Sequence, residues 1–442
     1  MRTALQRLSA LVLLGLIPLF AENWPGFRGT YARGVAENAN LPVSWNVETG
    51  AHIAWKTEIP GLGLSSPVVW DDVVFLTTAI SSNPQMVFES KQIGMRDDRQ
   101  DPAEQEFRVL AIDKRTGRIL WNQLAVKSKP RVLRHPHNSY ASPTPATDGK
   151  YLVAFFGSEG LYCYDLKGSL QWKKDLGIID QGAFDVPDYQ WGTASSPILW
   201  HGKVFLQVDM QRGSFLAAFD AKSGTELWRT PRDSKPAWST PTIVEGPSRT
   251  ELVTNGVEHI MGYDPETGKE LWRLKGTSMI SVPTPFEANG LIYVFTGYFR
   301  YQRRAYAIRP GAIGDITGSK ESIAWMRAES PYLSTPVVSG KYVFAFGNRG
   351  TGILNVYDAM TGATVYQQRI GQGTSASASA IAAGDRVYAA NEDGEVYVIR
   401  AGSAYEEMAV NRMEEPVLAT PAASGDTLFI RGASHLFAIR NK

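Results

Sequence analysis

Cysteine is almost absent. Among 442 residues only Cys163 carries a thiol, so no intramolecular disulfide can staple the fold and stability has to come from a buried core. Set between Tyr162 and Tyr164, Cys163 reads as a small apolar residue on a buried strand rather than a nucleophile. An excess of charge of one sign is absent too. The formal net charge is +1, and removing residues 1–21, which hold Arg2 and Arg7 but no acid, leaves 43 basic residues against 44 acidic ones. That balance excludes a bulk electrostatic footprint for nucleic acid or an anionic membrane surface. Long apolar runs are confined to Leu8–Phe20, which is broken by Gly15 and Pro18 and is too short to cross about 30 Å of hydrocarbon as a helix. Two arginines, an apolar stretch and the small residue Ala21 read as a secretory signal over residues 1–21. The expected mature chain starts at residue 22 and is exported, to periplasm or exterior, with no cysteine at the boundary for lipid attachment.

Turn formers and aromatics are plentiful: 41 Gly, 25 Pro, 12 Trp, 18 Tyr and 18 Phe, with 43% hydrophobic residues. This mixture excludes disorder and favours many short strands joined by tight turns. Three marks recur along the chain, each eight times. The first is a small residue before proline: Ser66-Pro67, Ser142-Pro143, Ser196-Pro197, Thr240-Pro241, Val282-Pro283, Thr335-Pro336 and Thr420-Pro421, with Ser377-Ala378-Ser379-Ala380 replacing one of them. The second is an apolar run ending on a charge, at Asp113, Asp165, Asp220, Asp264, Arg309, Asp358, Arg400 and Arg440. The third is an aromatic, at Trp55, Trp121, Trp172, Trp228, Trp272, Trp325, Tyr366 and Tyr405. Between the marks, alternating strands meet at Asp, Asn and Gly turns, as in Val68–Leu76 and Asn289–Phe295. Each unit therefore has four strands, a to d, the first opening at the proline mark and the last carrying the aromatic.

A four-stranded sheet cannot cover both of its faces, so the units must stack around an axis. The chain opens with a d-type mark, Trp55, and ends with a c-type mark, Arg440. The last unit lacks its d strand, and Ile53–Thr57 can supply it, closing the ring and removing a free sheet edge. The expected fold is all-β: one eight-bladed β-propeller over residues 22–442, with an insertion at about 80–106 between strands b and c of the first blade.

The segment Ala111-Ile112-Asp113-Lys114-Arg115-Thr116-Gly117-Arg118-Ile119-Leu120-Trp121 resembles the docking motif of pyrroloquinoline quinone (PQQ)-type propeller repeats. Near copies run from Ala218 to Trp228, with Asp220 and Gly224, from Gly262 to Trp272, with Asp264 and Gly268, and from Val356 to Tyr366. Asp and Thr or Ser can satisfy the c–d turn, glycine takes its left-handed position, and the indole packs on the adjacent blade. Such repeats occur in quinoprotein dehydrogenases and in cofactor-free propellers, including the lipoprotein of the outer-membrane protein assembly machinery. Asn23–Gly29 and Asn138–Pro145 are similar to a secreted, mostly uncharacterised branch of the family.

Strand alternation puts the b–c turns and d–a connections on one face, and nearly all irregular sequence falls there. The candidate binding residues on that face are His135, His137, Asn138, Tyr140, Asp188, Trp191, Asp209, Arg212, Trp238, Tyr298, Arg300, Asn348 and Arg349. Tyr140, Trp191, Trp238 and Tyr298 would anchor a sugar or protein, and Arg212, Arg300 and Arg349 would take anionic groups. His135 and His137 lack the further ligands that zinc requires, so no metal is assigned. Asn391–Glu395 lacks the spacing of a calcium loop and reads as a solvated hairpin. Acidic residues of the insertion, Asp97, Asp98, Asp101, Glu104 and Glu106, face basic runs at Lys127–Arg134 and Arg300–Arg304; a salt-sensitive lid and a set of solvated loops are both open.

No Ser-His-Asp arrangement, phosphate loop or carboxylate pair is assignable. The expectation is a non-catalytic exported binding or scaffold protein without cofactor, its partner an envelope protein, peptide or polysaccharide, and not nucleic acid. The alternative is a dehydrogenase using PQQ and calcium. For that class the resemblance implies a vicinal disulfide, carboxylate and amide metal ligands and a general-base Asp; the single cysteine excludes the disulfide.

Overall fold

Turn chemistry and strand pattern build eight sheets of the same kind. The computed structural model describes residues 23–84, 101–183, 186, 189–298, 303–347, 352–372 and 375–441. In the first blade, Val68–Trp70, Val73–Ser81, Gln105–Asp113 and Ile119–Ser128 pair antiparallel in chain order from the axis outward. The middle strands are almost wholly buried, because neighbouring blades cover both of their faces, whereas the outer strand is half exposed. Seven further blades begin at Ala146, Ile198, Thr242, Phe286, Val337, Ile381 and Ala422. Ile53–Glu58 pairs antiparallel with His435–Arg440, setting Trp55 opposite Ala438, so the ring closes as the order of the marks requires. Cys163 lies fully buried on the second blade, and burial pushes its thiol up to about 12.

The strand starts correct two positions of the proline mark. The inner strands of blades 2 and 5 begin after Pro145 and Pro285, so the equivalent residues are Thr144 and Thr284 rather than Ser142 and Val282. Both segments hold two prolines, and only the sheet register selects the second.

Blades are joined by their outer aromatics. The indole N–H groups of Trp55, Trp121, Trp172, Trp228 and Trp325 donate to the carbonyls of Lys114, Leu166, Ala221, Pro265 and Ala359 on the next c–d turn, at 2.8 to 3.2 Å. Each turn is itself fixed by its aspartate, as where Asp113 accepts from the Thr116 N–H and hydroxyl at 2.8 Å each. Gly268 shows why glycine is needed: φ is +71°, and a Cβ there would lie 2.4 Å from the Trp228 ring. Trp272 departs from the expected docking. Its indole turns inward, fully buried, and donates to Glu251 Oε2 at 2.7 Å. Gly262, where the other motifs carry Ala or Val, leaves the room for it. The joint between blades 4 and 5 is instead made by Gly314–Asp315, which pairs parallel with the outer strand of blade 4.

An N-terminal strap crosses the axis beneath the ring. Trp24 exchanges backbone hydrogen bonds with Val69 of blade 1, the Thr147 N–H of blade 2 donates to Pro25, and Val35–Ala36 adds a parallel strand to blade 7. Arg28 stands fully buried at the centre. Its donors reach the carbonyls of Ala32, Arg33, Thr335, Pro336 and Ala380 at 2.7 to 3.3 Å. Burial lowers its pKa to about 9, which leaves the guanidinium charged at neutral pH. Further along, Tyr31 bonds Glu245 of blade 4, Arg33 pairs with Glu287 of blade 5, and Asn40 bonds Asp426 of blade 8. Among the described residues, no helix is long and apolar enough to cross a membrane.

Candidate functional site

Two residues before each inner strand stands Ser66, Thr144, Ser196, Thr240, Thr284, Thr335, Ser379 or Thr420, and all eight line one cavity on the axis. Their hydroxyls link the blades. The backbone N–H of Ser66 donates to Thr144, that of Thr144 to Ser196, and the sequence continues through Thr240, Thr284, Thr335 and Ser379 to Thr420, at 2.9 to 3.4 Å. A proline or alanine directly after each hydroxyl leads into the strand. Because the hydroxyls from Thr144 to Thr420 each accept from a backbone N–H, their hydrogens and second lone pairs remain to be offered to the cavity.

Above this ring the cavity widens into a funnel of about 440 Å³, and Phe27 of the strap lines it from below. This volume falls in the roughly 300–1,000 Å³ range of small-molecule sites. One side of the funnel is aromatic. Trp191 and Trp238 lie 5.5 Å apart between ring centroids, Tyr298 and Tyr332 lie 5.3 Å apart, and Ile280 packs in the same cluster. Trp238 is fixed by its indole N–H, which donates to Gly192 O at 2.7 Å, and Trp191 by its carbonyl, which accepts from His135 N and Asn138 Nδ2. His135 meets Trp191 edge to face at 6.0 Å.

The opposite side is polar. His137 Nε2 lies 3.2 Å from Glu392 Oε1, with side-chain exposures of 14% and 6%, and the same oxygen accepts from Ser377. The connection between blades 1 and 2 thereby reaches the b–c turn of blade 7. Among the described lining residues Glu392 is the sole carboxylate, and none is a lysine or arginine.

His135, His137, Asn138, Trp191, Trp238 and Tyr298 of the sequence-derived set therefore come together here. Others do not. Tyr140 is buried behind the wall against Phe107; its hydroxyl donates to Asp101 O at 2.7 Å, and burial holds its pKa above the ordinary tyrosine value. Asp209 is fully buried and pairs with Arg232 through both oxygens, at 2.7 and 3.1 Å, holding the guanidinium that reaches Thr254 and Tyr263 of blade 4, and so it offers nothing to a ligand. Desolvation opposes the charge on Arg232, but Asp209 and Tyr263 together hold it above its ordinary value. Arg212 is exposed outside the funnel lining. Asp188, Arg300, Asn348 and Arg349 lie outside the described residues, as do Asp97, Asp98 and residues 1–21, expected from the sequence to be a secretory signal.

Two further expectations change. The Asn391–Glu395 turn is not a solvated hairpin: Asn391 and Glu392 are buried, and only Asp393 stands exposed. The described ends of the insertion extend the b–c hairpin, where Glu104 and Glu106 pair with Lys127 on the same blade. Arg134 is buried too, over the Tyr140 ring and bonded to the carbonyls of His135, Pro136 and Asn138, so it props the histidine loop, and of the insertion's acids Asp101 acts on its charge. Sequence reading missed Phe27, Tyr332, Ser377 and Glu392. A signal existed for the hydroxyl ring, in the Ser or Thr before each strand start; none existed for Glu392, which the ring brings to His137 across some 255 residues of chain.

Eight four-stranded blades, Trp-docked and closed by the N-terminal strand, define the class as a PQQ-like β-propeller. The family described as outer membrane protein assembly factor BamB matches residues 32–205 and 212–441, and the chain belongs to it. No curated protein sequence matches the chain. Among solved structures, BamB from Moraxella catarrhalis is similar at a TM-score of 0.56 and 13% identity, over 88% of this chain and 98% of that one. The quinohemoprotein alcohol dehydrogenase from Comamonas testosteroni gives 0.61 and 12%, over 95% and 80%. A europium-containing methanol dehydrogenase gives 0.62 and 10%, over 92% and 89%. Identities this low show a shared fold, and a fold by itself assigns no activity.

Proposed function

We propose that this chain is an exported, non-catalytic binding protein of the cell envelope that seats its ligand in the axial funnel. The observation that carries this reading is the funnel's construction: a blind, mixed aromatic and polar cavity on a rigid ring, with its base filled by the chain's own strap. Membership of a family described as an outer membrane assembly factor supports the envelope setting. Catalysis finds little support in the lining. Ser377 and His137 both lean on one oxygen of Glu392, so the carboxylate and not the imidazole meets the hydroxyl, and no activated nucleophile results.

The fit to PQQ is poor. The quinone carries three carboxylates, and the described lining opposes them with no lysine or arginine and with the carboxylate of Glu392. Calcium would require several oxygen ligands, and among the described residues no group of three or more His, Cys, Asp or Glu side chains stands together.

The test is a titration of the protein from residue 22 with PQQ, with and without calcium, beside a screen of small fragments, following melting temperature. The expected result is no saturable response to PQQ, together with fragment hits that a Trp238→Leu variant loses. Saturable PQQ binding with turnover of an alcohol and an artificial electron acceptor would overturn the reading.

A further inference from the structure

We infer that the funnel's ligand is a neutral carbohydrate, a pyranose-containing chain end or short oligosaccharide; this rests on the funnel being the binding site. Three features of the lining point to it. The first is charge. With one carboxylate, two imidazoles and no lysine or arginine among the described lining residues, an anionic ligand would lose its hydration without a compensating partner. A neutral ligand avoids that cost.

The second is the two-sided wall. Trp191, Trp238, Tyr298 and Tyr332 form a continuous aromatic flank with Ile280, while His137, Ser377 and Glu392 stand together on the other side. A pyranose has matching sides: axial C–H groups form an apolar face that lies on aromatic rings, and its hydroxyls project around the rim. Glu392 Oε1 already takes His137 and Ser377, and its Oε2 is placed to accept from such a hydroxyl.

The third is the floor. The backbone N–H groups that could bind a peptide carbonyl or a carboxylate are already spent on the ring of Ser and Thr hydroxyls. What the floor presents is hydroxyl groups that both donate and accept and can rotate to either role. Sugar hydroxyls have the same dual character, so each can pair without a fixed polarity. A peptide would instead need amides or an open sheet edge, and the inner edges of blades 1, 2 and 7 are already taken by the strap at Val69, Thr147 and Ala382.

The probes are soluble cello-, malto-, xylo-, manno- and chito-oligosaccharides, set against tetrapeptides of mixed sequence and PQQ. Saturation-transfer NMR from the protein's aromatic protons to sugar C–H protons reports stacking, and calorimetry reports affinity. At least one oligosaccharide series is expected to bind. Trp238→Ala is expected to weaken that binding about tenfold or more, and Glu392→Gln, which keeps the shape, by a similar factor. Lys222→Ala, on the opposite face, is expected to change neither signal nor affinity. Circular dichroism and the melting curve establish that each variant is folded, and Tyr332→Leu replaces Trp238→Ala if the latter is not.

If no oligosaccharide binds but peptides or fragments do, in a Trp238-dependent way, the carbohydrate inference falls and the funnel remains a binding site. If nothing of any class responds to Trp238 or Tyr332, both fall. Sugar binding that is indifferent to these residues and to Glu392 would also overturn the inference, because the sugar would then be held elsewhere.

Discussion

The residues that decide this molecule are polar groups whose meaning depends on what surrounds them. Asp209 and Arg212 sit in one b–c turn and look alike in sequence as ligand-binding charges. Asp209 proves to be a fully buried partner of Arg232, which also donates to Thr254 and Tyr263, while Arg212 stands in solvent. Replacing Asp209 by Ala strands a buried guanidinium and is expected to cost about 3–5 kcal/mol, whereas Arg212→Ala is expected to fall within about 0.5 kcal/mol of wild type. Urea unfolding of the two variants checks this, and equal losses would refute the assignment. Glu392 makes the opposite journey. It reads as part of an acidic, solvated turn, yet it faces His137 inside the funnel because blade 7 and the blade 1–2 connection converge on the axis.

At the scale of the element, the c–d turn is a small device repeated around the ring. Its aspartate accepts from the Thr or Ser side chain and from backbone N–H groups, its glycine makes room for the preceding blade's indole, and its carbonyl takes the indole N–H. The hydroxyl bonds of Thr116, Ser223 and Thr361, then the backbone bonds, hold Asp113, Asp220 and Asp358 below their ordinary value of 3.8. Folded values below unfolded ones mean that the stability these carboxylates contribute is fully present above 3.8 and lost as pH falls through the lowered values. Changing all three to Asn is therefore expected to flatten the acid limb of melting temperature against pH between about 5 and 2. An unchanged slope would show that the turns carry no such linkage. The device also has a limit. Where blade 5 replaces the turn by a longer loop, Trp272 abandons docking for Glu251, and strand addition by Gly314–Asp315 makes the joint.

For the whole molecule, closure and axial filling are separate jobs done by one N-terminal segment. Ile53–Glu58 closes the ring, and the strap before it fills the channel under the hydroxyl girdle. A chain starting at residue 48 is expected to keep the closed ring, melt lower, and lose the funnel's base at Phe27. One starting at residue 59 is expected to aggregate, because His435–Arg440 becomes a free sheet edge. Light scattering after size-exclusion chromatography separates the two, and identical behaviour would contradict the division of labour.

Repetition made the fold legible. A motif that recurs eight times, with its orphan d strand first and its incomplete unit last, specifies blade number and closure because both follow from local pattern and strand order. Part of the funnel could be read as well: the loop face and six of its lining residues, His135, His137, Asn138, Trp191, Trp238 and Tyr298, follow from strand alternation. Local sequence does not encode distance across the axis. The pairing of His137 with Glu392, the seat of Arg28 among five carbonyls, the plug at Phe27 and the burial of Asp209 and Tyr140 all arise from segments far apart in the chain that only ring closure brings together.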